Sequence, residues 1–223
     1  MSGRGNMRTR AARTVTRLRS RGAAEVLGWF LGVIRTALWS TTEIIFLVRP
    51  VPGRAVPLRQ DATCRPVLED DAVTYAADIG TDSASTFRTR LRANQQCYLV
   101  EEGTRFLHST WLTRAPVWMA ETHRFVGPPS GSVYVFESYT RPEARGRGLF
   151  AFALGTISGD FRDEDVWIAV SADNIPSLRA VEKAGFRSEF TIRVRRRLGG
   201  VWLHLPEEGW LLFGSSAEDA RGP

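Results

Sequence analysis

Residues 140–154 read TRPEARGRGLFAFAL, and the fold turns on what Arg145-Gly146-Arg147-Gly148 does before the chain becomes apolar. A helix start presents unpaired N–H groups and roughly half a positive charge, so it suits an anion. Gly146 and Gly148 let the backbone approach a ligand without Cβ interference, and the flanking guanidiniums add charge-assisted donors. Three readings compete. Gly146-x-Gly148-x-x-Ala151 fits the dinucleotide pattern G-x-G-x-x-A. However, five residues including Pro142 separate it from the preceding strand, and no acidic residue ends a strand about 20 residues on. An arginine-rich turn that opens a helix and binds nothing is the second reading. The third depends on the segments around it.

Upstream, SVYVFESYT (132–140) is the clearest strand of the chain. Downstream, Leu149, Phe150, Ala153, Leu154 and Ile157 give a helix an apolar side, and a polar loop leads to the strand VWIAVS (166–171). Asp173-Asn174 then supplies an N-cap, Pro176 and Ser177 suit a first turn, and the helix ends at Ala184-Gly185. Nearer the N-terminus, EIIFLVR (43–49) reads as a strand and residues 70–79 and 83–94 as two short helices. Residues 97–113 read as a hairpin turning at Glu102-Gly103, and VWMAETHRFV (117–126) as one further strand. FTIRVRRRL (190–198) and VWLHL (201–205) are strand-like. This is the order of a mixed α/β domain with its crossover units in the second half.

YTRPEARGRGLF, together with NIPSLRAVEKAGF (174–186), resembles the two signatures of the GNAT superfamily of N-acyltransferases. In the first, Arg145, Gly146 and Gly148 match, while Phe150 stands where Gly or Ala is usual; in the second, Asn174, Ser177, Lys183, Gly185 and Phe186 match. Both occur in order, each after a strand. The resemblance covers residues 97–197 and more loosely begins near residue 62. It implies a mostly antiparallel central sheet with splayed strands, helices on both faces, and here an N-terminal helical extension. The implied organisation is a basic disordered tail (1–22), a helix-and-strand extension (23–60), the acyltransferase domain (61–212) and a loose end (213–223).

The resemblance also implies a chemistry. Acetyl-CoA or another acyl-CoA would rest its pyrophosphate on backbone N–H groups of Arg145, Gly146, Arg147, Gly148, Leu149 and Phe150. Its pantetheine arm would pair with main-chain groups near Ser138 and Thr140, with Asn174 on the arm or on a water. The transfer needs a group to deprotonate an ammonium and another to protonate a leaving thiolate. The family's usual Tyr, seven residues after the Asn, is Val181 here, so Ser177 is the expected thiolate donor; a first-turn Ser bonding its own backbone is the alternative. Glu137 is the leading base, with Glu121, His108 and water as rivals. Strand alternation groups Glu137 with Val133 and Val135, but a bulge would change its face.

Composition narrows the partners. Of 223 residues, 43% are hydrophobic, enough for a core. Seven arginines lie in the first 21 residues; without them 30 basic residues against 24 acidic become 23 against 24, a body charge of about −1. A broad nucleic-acid surface on the folded body is therefore not expected. The tail leaves open nucleic-acid or anionic-membrane contact, including an aminoacyl-tRNA-dependent variant of the reaction. The apolar run 23–39 is interrupted by Glu25 and Arg35 and reads as a packed helix, a membrane-surface helix or a spanning or export segment. Two cysteines with no ligand spacing point to a reduced cytoplasmic chain, with peripheral membrane contact open, and three scattered histidines to no metal site. The partners expected are an acyl-CoA and an amine acceptor on a small metabolite or peptide, with homodimerisation open. A GNAT-fold binding module without transfer is the competing function.

Overall fold

The computed structural model describes residues 39–50, 61–197, 200–204 and 206. The arginine tail, nearly all of the apolar run 23–39 and the C-terminal end lie outside the described residues. The chain comprises two compact units, Thr42–Val194 with Leu203–Pro223, and Met1–Thr41 with Arg195–Trp202. In the smaller one, the described residues are the start of β1 (Trp39–Arg49), the end of β9 (Arg187–Arg197) and most of β10 (Gly200–His204).

The larger unit is built on a mixed sheet of β1, β2 (Thr63–Pro66), β3 (Gln96–Glu102), β4 (Arg105–Thr113), β7 (Ser132–Thr140), β8 (Asp165–Ser171) and β9. The strands lie in the order β9-β1-β8-β7-β4-β3-β2. β1 with β8, β2 with β3, β3 with β4 and β4 with β7 pair antiparallel, whereas β7 and β8 are parallel, a register that requires the crossover α3 (Leu149–Asp160) supplies. β1 pairs with β8 from Ile44↔Ser171 to Arg49↔Val166, so residues read as part of an extension stand inside the sheet. Phe46 stacks on Phe190 of β9 with ring centroids 4.8 Å apart.

Helices cover both faces. α1 (Ala72–Asp78) and α2 (Ala84–Arg92) place Tyr75 and Phe87 against Cys97, Leu99, Phe106 and Trp111. Ser83 caps α2 by accepting the Thr86 N–H at 3.2 Å. On the other face α3 and α4 (Ile175–Lys183) bury Leu154, Ile157 and Val181 against Leu47, Val133, Val135, Val166 and Ile168. α3 is buried along most of its circumference, which its nearly continuous apolar sequence anticipates.

The stretch 117–126 departs from the single strand expected. Val117–Met119 (β5) and Arg124–Val126 (β6) form a separate two-stranded hairpin. The Thr122 hydroxyl and N–H both donate to the Met119 carbonyl, and His123 adopts φ 53°, closing the turn that divides the segment. No helix among the described residues is long and apolar enough to cross a membrane. No cluster of three or more His, Cys, Asp or Glu among them could hold a metal ion.

Candidate active site

β7 carries one residue too many for its partner. Trp111 of β4 pairs with Glu137, but Leu112 pairs with Val135, leaving Phe136 as the extra residue of a bulge. The parallel pairing of β7 to β8 also ends at Val135↔Ile168, so from Phe136 to Thr140 the β8-facing edge of β7 has no strand partner among the described residues. One irregularity thus coincides with the start of a gap between the two strands and alters the alternation of β7. Val133 and Val135 point into the α3 core, whereas Phe136 and Glu137 both line a cavity of about 650 Å³ on the α2 side. The grouping of Glu137 with Val133 and Val135 expected from simple alternation is overturned by this extra residue.

The cavity is walled by Phe136, Glu137 and Tyr134 of β7, Ala169 and Ser171 of β8, Ile44, and the run Val117–Glu121 of the hairpin. Arg90 of α2 closes it from below. Each of its nitrogens has a neighbour: Nε donates to Gln95 Oε1 at 2.9 Å, Nη1 to Asp82 at 2.6 Å, and Nη2 pairs with Glu137 Oε2 at 2.8 Å. The guanidinium lies 3.8 Å from the Trp111 ring centroid, and Trp111 Nε1 donates to the Tyr75 hydroxyl at 2.9 Å. The base candidate is therefore held by a chain of contacts reaching into the α1/α2 core. Burial pushes the Tyr134 hydroxyl up from its ordinary pKa, and the charge of Glu121 adds to the effect. Glu121 itself sits in the β5–β6 turn, not on a strand, and lines the same cavity.

The opposite face of β7 carries Ser138 and Thr140, the residues flagged for the pantetheine arm. Their hydroxyls join a chain through β4: Thr140 Oγ1 to His108 Nδ1 at 2.7 Å, His108 Nε2 to Thr110 Oγ1 at 2.7 Å, and Thr110 Oγ1 to Ser138 Oγ at 3.1 Å. His108 has no solvent exposure and does not line the cavity; burial pushes its pKa down to about 3. A neutral imidazole donates through one nitrogen and accepts through the other, which suits two hydroxyl partners. Because the unfolded chain protonates His108 near pH 6.5 and the folded chain only near 3, its contribution to stability is complete above 6.5 and declines as pH falls through that window. The expected loss is about 2 kcal/mol by pH 5, and urea unfolding of wild type and His108→Gln at pH 7.5 and 5.0 checks it. The variant should show a smaller drop.

Beyond Thr140 the chain makes a short 3-10 turn, Pro142–Ala144, fixed by Arg141 bonds to Glu143 at 2.6 Å and Asp78 at 3.1 Å. Gly146 and Gly148 take φ +78° and +75°, the left-handed region that glycine enters without strain. Gly148 is the N-cap of α3 and has no side-chain cap; the first intrahelical bond runs from Phe152 N–H to Gly148 C=O, leaving the N–H groups of Leu149, Phe150 and Ala151 ahead of it. Arg145 Nε donates to the Thr140 carbonyl at 3.3 Å, and Arg147 pairs with Glu102 at 2.7 Å. Phe150 is half-buried against the α3-side core, its ring centroid 5.5 Å from that of His108. The bulky residue at a position where small ones are usual thus packs under the helix.

Asn174 caps α4, its Oδ1 accepting the Ser177 N–H at 3.3 Å. Ser177 stands in the first turn of that helix and is not among the residues lining the cavity. Val181 is fully buried in the core. The structure therefore brings Glu137 and Glu121 to one cavity, gathers Ser138 and Thr140 on the reverse of the splayed strand, and leaves Ser177 outside the cavity wall. Arg90 and Asp82 were not singled out from the sequence; the only local signal was the arginines placed between Phe87 and Leu91 on an amphipathic helix.

No protein-family model matches the chain. No curated protein matches it either. Solved structures do. A GNAT-family protein from Novosphingobium aromaticivorans is 22% identical over 69% of this chain and 63% of its own, with a TM-score of 0.48. A GCN5-related N-acetyltransferase from Sphaerobacter thermophilus is 15% identical over 76% of this chain and 57% of its own, with a TM-score of 0.49. A GNAT-family acetyltransferase from Colwellia psychrerythraea is 11% identical over 71% and 56%, also at 0.49. This chain spans less than two thirds of the length of each. GNAT-family acetyltransferases thus stand among the structural neighbours. The likeness is one of fold, so the chemistry has to be read from this chain's own side chains.

Proposed function

We propose that the protein is an acyl-CoA-dependent N-acyltransferase, with acetyl the default acyl group, acting on an amino group of a small metabolite or peptide. The observation that carries the reading is the bulge at Phe136: the strand separation begins beside it, and it turns Glu137 into the cavity at the edge of that separation. The loop before α3 fits the diphosphate of a CoA: two left-handed glycines, a helix start without a side-chain cap, and Arg145 beside it. The unpaired edge of β7 near Ser138 and Thr140 fits the amide groups of a pantetheine arm, and Asn174 lies beyond the far end of β8. A bound acyl-CoA would supply a thioester carbonyl as electrophile. The acceptor nitrogen forms the new C–N bond as the C–S bond breaks; its surplus proton goes to Glu137, and the sulfur leaves as the thiol with a proton from Ser177 or solvent.

A second reading, a module that binds acyl-CoA without transferring the acyl group, is favoured by the buried Val181 and by Ser177 standing outside the cavity wall. Release of free thiol from acetyl-CoA over a panel of amines separates the two. Acetyl-CoA binding with amine-dependent thiol release supports transfer; binding with no release across the panel supports the module.

A further inference from the structure

The charge of the chain is divided unevenly between its two units. Met1–Thr41 with Arg195–Trp202 holds 11 of the 30 basic residues and one of the 24 acidic ones, a net charge of +10. The remaining 19 basic and 23 acidic residues give the larger unit −4. All eleven cations of the smaller unit are arginine and its one carboxylate is Glu25, so its field cannot be cancelled from within and attracts a polyanion. The candidate cofactor loop, residues 145–151, belongs to the larger unit and does not account for this excess.

What accompanies the charge decides which polyanion fits. The seven arginines of residues 4–21 run directly into the apolar stretch AAEVLGWFLGVIRTALW (23–39), which holds two tryptophans and in which Glu25 and Arg35 are the charged residues. A nucleic acid offers phosphates, sugars and base edges, and gives such a stretch few partners. A bilayer with anionic headgroups suits both parts, with guanidiniums at the headgroup charges and tryptophan and aliphatic side chains at the boundary beneath. Either signal alone attaches weakly, and the two together hold.

The described residues of the same unit repeat the combination. Arg195 and Arg197 are exposed at the end of β9. On β10, the neighbouring strand, Trp202 is 54% exposed. Its indole occupies the space beside Gly200, where a Cβ would run into the ring carbons, so the glycine leaves the room that the ring takes. An exposed indole, with an apolar body and one N–H donor, suits the layer between headgroups and acyl chains.

We infer that the smaller unit docks the protein on an anionic lipid surface, its arginines at headgroup phosphates and carboxylates and its tryptophans, Trp202 among them, at headgroup depth. The inference goes beyond the acyltransferase reading and does not depend on it.

Sedimentation of the full chain with vesicles of phosphatidylcholine alone, and of phosphatidylcholine mixed with phosphatidylserine, tests it. The two salt concentrations are about 0.1 M and about 1 M, between which the Debye length falls from about 10 Å to about 3 Å. At the lower salt, partitioning onto the phosphatidylserine vesicles is expected to exceed that onto phosphatidylcholine by about tenfold or more, and the higher salt should remove most of that excess. Arg→Gln at all seven arginines of residues 4–21 should abolish the preference. Trp202→Ala should weaken binding severalfold, with the melting temperature and the acetyl-CoA titration unchanged. Equal binding to both vesicle types, full retention at the higher salt, or no binding to either overturns the inference, and so does a Trp202→Ala protein bound as tightly as wild type. RNA that displaces the protein from the anionic vesicles at equal phosphate concentration assigns the unit to nucleic acid and overturns it as well.

Discussion

Glu137→Gln is expected to lower kcat for acyl transfer from acetyl-CoA by about 10²-fold or more, the ordinary worth of a positioned general base. The acceptor enters as an ammonium near neutral pH and cannot attack until it loses a proton. Glu137 is the cavity carboxylate carried by the bulge itself, and its ion pair to Arg90 at 2.8 Å fixes its direction. Glutamine keeps the shape and one oxygen for Arg90 but cannot accept the proton. Affinity for acetyl-CoA should stay within about twofold, because the change removes transition-state stabilisation and not cofactor contacts. In the variant the residual rate should climb with pH as the free amine becomes populated. Steady-state kinetics from pH 6 to 9.5 read both effects, and a variant as fast as wild type at neutral pH would remove Glu137 from the chemistry.

The second large effect is expected at Gly148. Its φ of +75° and ψ of 16° hold the loop in the left-handed region as it enters α3. Valine there costs about 1–2 kcal/mol in backbone strain alone, and relief of that strain rotates the N–H groups of Leu149 and Phe150. Acetyl-CoA affinity should therefore fall by about tenfold or more, with the melting temperature a few degrees lower. Gly146→Ala is the informative companion: a Cβ there meets nothing within 4 Å, so any loss reflects the φ of +78° and not crowding. Calorimetry with acetyl-CoA on both variants makes the comparison; an unchanged affinity in a folded Gly148→Val protein would detach the loop from cofactor binding.

What the sequence made legible was local. The strand at 132–140, the glycine turn, the apolar helix and the Asn174 cap follow from periodicity and capping chemistry over windows of a dozen residues, and the structure has each of them. The orientation of Glu137 was not legible, because one unpaired residue in a β-ladder reverses every side chain beyond it and depends on a partner strand 23 to 26 residues away. Arg90 was hidden for a similar reason. On a helix that also carries Arg88 and Arg92 it reads as one more surface charge, and only folding brings Asp82, Gln95, Trp111 and Glu137 around it. The insertion of β1 beside β8 is a pairing over about 120 residues, which local patterning does not encode. The hairpin at 117–126 reads as one strand because its two arms are three residues each, too short for alternation to separate them.

The central claim is that one surface of this chain, the loop before α3 and the free edge of β7, holds an acyl-CoA. Amide hydrogen exchange with and without saturating acetyl-CoA tests it most directly. Slowed exchange is predicted at Arg145–Ala151 and at Phe136–Thr140, with the α1/α2 face little changed. Acetyl-CoA binding that leaves both segments exchanging as before, or an absence of binding altogether, would contradict it.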